Sequence, residues 1–261
     1  MDLHLQDKVV AITGGSAGIG FATAGRLLAE GARVAICGRD PGRLDQARAV
    51  YQQHGDRLLA IASDVSTEDG VKAFVDGIGE HFGSLYGLLN NAGRLTPLQP
   101  FEAVDDDAWQ QDFNVKLFGA IRLTRLCLPW LRDSRGAVVN MLSVAAKQAG
   151  PRSAPTSVSR AAGLALTKLL SKELAPEGVR VNAVCVGLAK SAQNDAAWQR
   201  EFAHLSRDDF YLEHARRRGV PLGRSGEAEE AADLIAFLLS DRAAYITGTA
   251  VNFDGGLSGA T

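Results

Sequence analysis

Seven short β-branched runs alternate with longer helical patterns along the chain, and this alternation narrows the fold more than any other feature. The runs are KVVAIT from Lys8, RVAIC from Arg33, RLLAIA from Arg57, LYGLLN from Leu85, AVVNML from Ala137, VRVNAV from Val179 and AVNF from Ala250. Between them, apolar residues recur at helical spacing in Gly18–Glu30, Arg43–Gln53, Val71–Phe82, Asp107–Leu131, Thr156–Leu174 and Glu229–Leu239. Strands that are apolar on both faces belong to a parallel sheet covered on both sides, and right-handed crossovers make it doubly wound. An α/β fold with seven strands is therefore expected. Local signals agree: Ser66 with Asp69 reads as a helix N-cap, and Asp40-Pro41-Gly42 and Pro176-Glu177-Gly178 read as turns.

A chain of 261 residues suits one such domain, expected over residues 1–261. Its 28 Lys and Arg against 30 Asp and Glu leave a net charge of −2, which argues against nucleic-acid or membrane-surface partners. No apolar run approaches the roughly eighteen residues of a membrane span, and the N-terminus lacks a basic flank before an apolar block. A soluble, cytoplasmic protein is expected. Cys37, Cys127 and Cys185 are widely spaced within apolar runs and read as reduced core thiols. No histidine stands at metal-ligand spacing with a carboxylate, so no metal site is expected.

Directly after the first run comes Thr13-Gly14-Gly15-Ser16-Ala17-Gly18-Ile19-Gly20, followed by a helical pattern. Glycines there let backbone approach a pyrophosphate, whose charge the free N–H groups of a helix start stabilise. The spacing is neither G-x-G-x-x-G nor that of a Walker A loop. A glycine-rich turn serving only strand–helix packing is the other reading.

Thr13-Gly14-x-x-x-Gly18-Ile19-Gly20, Asp64-Val65 after the third run, Asn90-Asn91-Ala92-Gly93 after the fourth, and Ile246-Thr247-Gly248 with Asp254-Gly255-Gly256 near the end resemble the short-chain dehydrogenase/reductase family. The resemblance runs from about Lys8 to Gly256. It implies a Rossmann-type sheet in the order 3-2-1-4-5-6-7, a nicotinamide cofactor, a small-molecule substrate, and a homotetramer or dimer built through the two long middle helices and the last strand. Gly14, Ser16, Gly18, Ile19 and Gly20 would hold the pyrophosphate. Asp64 and Val65 would contact adenine, and Asn91, Ala92 and Gly93 would line the adenosine-ribose side. Gly187 and Ser191 follow the sixth run, where the family's usual Pro-Gly has become Val186-Gly187. Ser191 stands in for the Thr that hydrogen-bonds the carboxamide or pyrophosphate.

NAD-preferring members carry an acidic residue at the end of the second strand. Here the residues are Cys37-Gly38-Arg39, and a guanidinium can pair with a 2′-phosphate, so NADP(H) is favoured, with NAD(H) the alternative and Asp40 weighing against the preference.

The resemblance breaks at the catalytic pattern. Ser143 and Asn114 match the family's Ser and Asn, but the position thirteen after Ser143 is Thr156 instead of Tyr, and four further on is Arg160 instead of Lys. A Thr hydroxyl is too weak an acid to replace a phenol, and Arg160 stays charged, so it could bridge the nicotinamide ribose but not relay protons. Lys147 and Tyr211 are candidate replacement acids, with a solvated loop and lid packing as their plain alternatives. Arg152 is either an anion contact or a solvated loop residue.

A polar and aromatic stretch at about 190–225 would form a substrate lid, with Trp198, Phe202, Phe210, Tyr211 and Arg216-Arg217-Arg218; because Trp198 and Phe202, like Phe210 and His214, stand four apart, an amphipathic helix packing on the domain is the plainer reading of its aromatics. Three functions stay open: an NADP(H)-dependent oxidoreductase acting on a carbonyl or alcohol with an atypical centre, a catalytically silent nicotinamide-binding protein, and a lyase or isomerase using the same pocket.

Overall fold

The computed structural model describes residues 1–94 and 96–260, apart from the side chains of residues 192, 193, 196, 197 and 201. Residue 261, the last of the expected domain, lies outside them. Seven strands, β1 (Val9–Thr13), β2 (Arg33–Gly38), β3 (Leu58–Ala62), β4 (Gly87–Asn90), β5 (Ala137–Ser143), β6 (Arg180–Val186) and β7 (Ala250–Phe253), make one sheet in the order 3-2-1-4-5-6-7. Every pairing is parallel. The expected Rossmann-type sheet is the observed one.

Its core follows from the period of a strand, in which successive side chains point to opposite faces. On β1, Val10 and Ile12 join Leu27 and Leu28 of α1 (Gly18–Ala29) and Ile235 and Leu239 of α9 (Ala228–Leu239) on one face. Val9 and Ala11 join Phe74 and Ile78 of α3 (Glu68–Phe82) and Leu123 and Cys127 of α5 (Gly119–Ser134) on the other. Each large apolar side chain buried this way contributes about 1.5–3 kcal/mol relative to exposure. Strand order reverses beside β1, so the carboxyl ends of β1 and β4 open the crevice where ligands bind in such sheets. The cysteines are buried and unbridged, and burial pushes the Cys37 and Cys127 thiols up to about 12.

Three local readings are corrected. The helix expected over Asp107–Leu131 is α4 (Asp106–Phe113) and α5 joined through a π-helical turn, Asn114–Phe118. The N-cap of α3 is Thr67, which directly precedes the first helical residue Glu68 and whose hydroxyl accepts from Gly70 N, while the Ser66 N–H donates to Asp64 Oδ1. Asp40-Pro41-Gly42 opens α2 (Pro41–Val50) instead of forming a free turn: Asp40 caps it and Pro41 takes the first position, where a missing N–H costs nothing. The remaining helices are α6 (Thr156–Glu173), α7 (Ala192–Glu201) and α8 (Arg207–Arg218), with α7 and α8 between β6 and α9.

Candidate active site

The turn after β1 is built so that no side chain can intrude. Gly14 has φ +65°, and a Cβ on Gly20 would run into the Gly14 carbonyl oxygen and stand 2.5 Å from Asn91 Nδ2. A Cβ on Gly15 would lie 2.6 Å from Ile36 Cβ. The turn is braced from β4: Thr13 Oγ1 accepts from the backbone N–H groups of Asn91 and Ala92, both at 2.9 Å, while the Asn91 amide donates to Thr13 O and Gly14 O. Asn91, expected to face the ribose, thus has its amide N–H groups committed to the turn. Helix α1 then begins at Gly18 after Ala17, which makes no side-chain cap, so its first N–H groups face the crevice without a protein acceptor from that residue.

At the end of β2, Gly38 lets Ser16 approach, since a Cβ there would stand 2.8 Å from Ser16 Oγ. Arg39 is exposed and makes no hydrogen bond or ion pair among the described residues. Asp40 is turned away from it, accepting from Gly42 N (2.9 Å) and Arg43 N and pairing with Arg43. Asp64 is half-buried beyond β3, its carboxylate accepting from Ser66 N, and Val65 is buried behind it.

Beyond these residues, α4, the π-helical turn and α6 bring a buried charged cluster together. Thr156, at the start of α6, donates to Asp112 Oδ2 (3.2 Å) and accepts from Lys116 Nζ (2.8 Å). Lys116 and Asp112, one turn apart, form an ion pair with both side chains 1% exposed. Ser159 Oγ donates to Asp112 Oδ1 (2.6 Å) and Thr96 Oγ1 to Asp112 Oδ2 (2.8 Å). Burial pushes the Asp112 pKa up, but Lys116 and these hydroxyls outweigh it and hold the carboxyl below its ordinary value. Lys116 moves down to about 8, because burial and the nearby Arg160 and Arg94 charges exceed the help from Asp112. Arg160 donates to the Met141 carbonyl and lies beside Gly93, where a Cβ would stand 2.9 Å from its Nη2; burial lowers its pKa to about 10.

Ser143 ends β5, half-buried, and its hydroxyl accepts only from Ala145 N (3.2 Å) among the described residues. Asn114 opens the π-helical turn and accepts from Gln110 Nε2 (3.0 Å). Gly187 abuts Asp254, whose Cβ would lie 2.6 Å from an added one. Ser191 is the N-cap of α7, its hydroxyl accepting from Asn194 N. Lys147 is half-buried, and its ammonium donates to Ala250 O (2.7 Å) and Asn252 Oδ1 (2.6 Å), tying the loop after β5 to β7. Tyr211 is buried in the stretch at about 190–225, where its hydroxyl donates to Asp195 (2.9 Å) and accepts from Ser191 N, and burial pushes its pKa up to about 12. Arg152 is exposed. Among the described residues no group of three His, Cys, Asp or Glu could hold a metal ion, and no helix is long and apolar enough to cross a membrane.

Sequence reasoning missed Asp112, Lys116 and Thr96. The available signal was the i, i+4 spacing of Asp112 and Lys116, which reads equally as a surface ion pair.

Known proteins share this fold. A family model described as enoyl-(acyl carrier protein) reductase matches residues 14–258. A short-chain oxidoreductase from Pseudomonas aeruginosa PAO1 containing an atypical catalytic centre is 38% identical in its apo structure, with a TM-score of 0.91 over 97% of this chain and 98% of that one. Its NADPH-bound structure is 36% identical, with a TM-score of 0.90 over 98% of this chain and 100% of that one. L-sorbose reductase from Gluconobacter frateurii, solved with NADPH and L-sorbose, is 31% identical with a TM-score of 0.93 over 100% of both chains. Among curated proteins, 2-(S)-hydroxypropyl-CoM dehydrogenase 3 of Xanthobacter autotrophicus is 34% identical over 260 residues, 99% of each chain. The chain belongs to the short-chain dehydrogenase/reductase family, as a member with an atypical catalytic centre.

Proposed function

We propose that this protein is an NADP(H)-dependent oxidoreductase that interconverts a small-molecule carbonyl and its alcohol. The observation that carries the reading is the cradle after β1, where an uncapped helix start lies beneath glycines that admit no Cβ. Pyrophosphate fits such a site because N–H dipoles and the helix terminus stabilise its charge. The unpaired Arg39 guanidinium, with Asp40 drawn off to cap α2, favours the 2′-phosphate of NADP(H) over NAD(H). The NADPH-bound relative with its own atypical centre supports the same choice.

When bound, the nicotinamide supplies or accepts hydride. Around it, Arg160 holds a fixed positive charge at the end of β5, and Ser143 offers a hydroxyl proton to a substrate oxygen. Ser16, Gly18, Ile19, Asp64, Val65, Ala92, Gly93, Gly187 and Ser191 form the rest of the nucleotide wall in this reading, with Asn114 and Thr156 on the reaction side. The whole chain acts as one nucleotide-binding domain, α7 and α8 serving as a lid. Leu126 on α5 and Val158 and Leu169 on α6 are exposed, which supports a homo-oligomer, tetramer or dimer, assembled through those helices. The location that fits this chemistry is the cytoplasm.

The test is a panel of carbonyl compounds with NADPH deuterated at nicotinamide C4. The expected result is deuterium on the carbinol carbon of the product, with stoichiometric NADPH oxidation. Product formed without NADPH consumption contradicts redox chemistry and points to a lyase or isomerase. Tight NADPH binding without turnover points to a silent binding protein.

A further inference from the structure

We propose that Lys116 is the proton source of this centre, reaching the substrate oxygen through the Thr156 hydroxyl while Asp112 positions its ammonium. The proposal rests on the carbonyl-reducing reading above.

An aliphatic hydroxyl is a poor acid, but a relay needs only to accept one proton as it gives another. Thr156 has that geometry, since its oxygen accepts from Lys116 Nζ at 2.8 Å while keeping its own proton to donate. Thr156 now donates that proton to Asp112 Oδ2 across 3.2 Å between the oxygens, the longest of the four contacts to this carboxylate. With Lys116, Ser159 and Thr96 still bound, Asp112 stays satisfied when Thr156 turns its hydroxyl to a substrate. Lys116 itself has no other exit. Its side chain is 1% exposed, and among the described residues its ammonium bonds only Asp112 and Thr156.

The groups facing Lys116 are Asp112 from α4, Arg160 from α6 and Arg94 from the loop after β4. Burial and the two guanidinium charges weaken its hold on a proton, and Asp112 prevents outright neutralisation. The resulting pKa of about 8 suits a general acid working near neutral pH. In reduction, the carbonyl carbon receives the hydride of a reduced nicotinamide, and the C=O π pair moves to oxygen. That oxygen takes the Thr156 proton, and Thr156 takes one from Lys116, leaving a neutral amine and an oxidised nicotinamide. After the alcohol leaves, water returns a proton to Lys116 along the same hydroxyl.

The experiment compares wild type, Thr156→Ser, Thr156→Val and Lys116→Arg by NADPH affinity, single-turnover hydride transfer against pH, and NMR titration of the lysine ε-methylenes without nucleotide. Thr156→Val is expected to slow hydride transfer about 100-fold or more at unchanged NADPH affinity, the usual scale of a lost general acid, and Thr156→Ser to restore it. The wild-type reduction rate is expected to fall as pH rises through about 8, the limb to vanish in Lys116→Arg, and the Lys116 resonance to titrate near the same pH. Should Lys116→Arg not fold, Asp112→Asn/Lys116→Met, which removes both charges of the buried pair, is expected to lose the same limb. An undiminished rate in Thr156→Val, a persistent limb in the Lys116 variants, or Lys116 titrating near the ordinary 10.5 overturns the proposal. Absence of NADPH binding or of turnover in wild type overturns the oxidoreductase reading itself, and the proposal with it.

Discussion

Asp112 takes four hydrogen bonds or ion contacts with its side chain 1% exposed, and its removal leaves Lys116 buried without its counter-charge. Breaking one side of a buried pair typically costs about 3–5 kcal/mol. Asp112→Ala is therefore expected to lower urea-unfolding stability by about that much, whereas a loss under 1 kcal/mol would mean that the pair is solvated. The same carboxylate gives a pH dependence of definite sign. Its folded pKa lies below the ordinary value, so its stabilising contribution is present above the unfolded pKa of about 3.8 and is lost as pH falls through the lower folded value. At this scale the sequence revealed the places where backbone must pass closely, because only glycine permits them, and the exchange of Tyr for Thr156 and Lys for Arg160. It hid the cluster that stands around Thr156. Asp112 and Lys116 have helical spacing, but their burial depends on Thr156, forty residues further along, and on Thr96 in a loop.

Helix starts show how neighbouring hydroxyls mislead a local reading. Ser66 and Thr67 both precede α3, and the cap is Thr67 because it directly precedes Glu68 and its hydroxyl accepts from Gly70 N. Thr67→Ala is expected to cost about 1 kcal/mol in thermal or urea unfolding, and Ser66→Ala close to nothing. Equal costs would contradict this assignment. The same competition explains Asp40: its side chain takes the α2 start instead of a ribose, leaving Arg39 open. In the stretch at about 190–225, the aromatic residues pack between elements. Phe202 and Phe210 have ring centroids 5.4 Å apart, and Trp198 Nε1 donates to Leu205 O, so the amphipathic-helix reading accounts for them. Tyr211 joins α8 to the α7 start through Asp195 and Ser191, a contact between segments that spacing along one helix does not reveal.

Across the whole molecule, strand number, direction and faces were legible because a parallel sheet buried on both sides requires near-continuous apolar runs, and those runs are the seven observed strands. Strand order came from the family resemblance, since periodicity within a run carries no information about its neighbours. The crevice at the β1–β4 boundary follows from that order, and the account's central claim is that it holds NADP(H). The most direct measurement is an equilibrium fluorescence titration of the purified chain and of Arg39→Ala with NADPH and with NADH. The account predicts saturable binding, tighter for NADPH, and a loss on Arg39→Ala that falls about tenfold or more on NADPH while NADH binding changes little, as expected for removal of one charge-assisted phosphate contact. Equal losses for the two nucleotides would contradict the NADP(H) assignment, and no saturable binding of either would contradict the central claim.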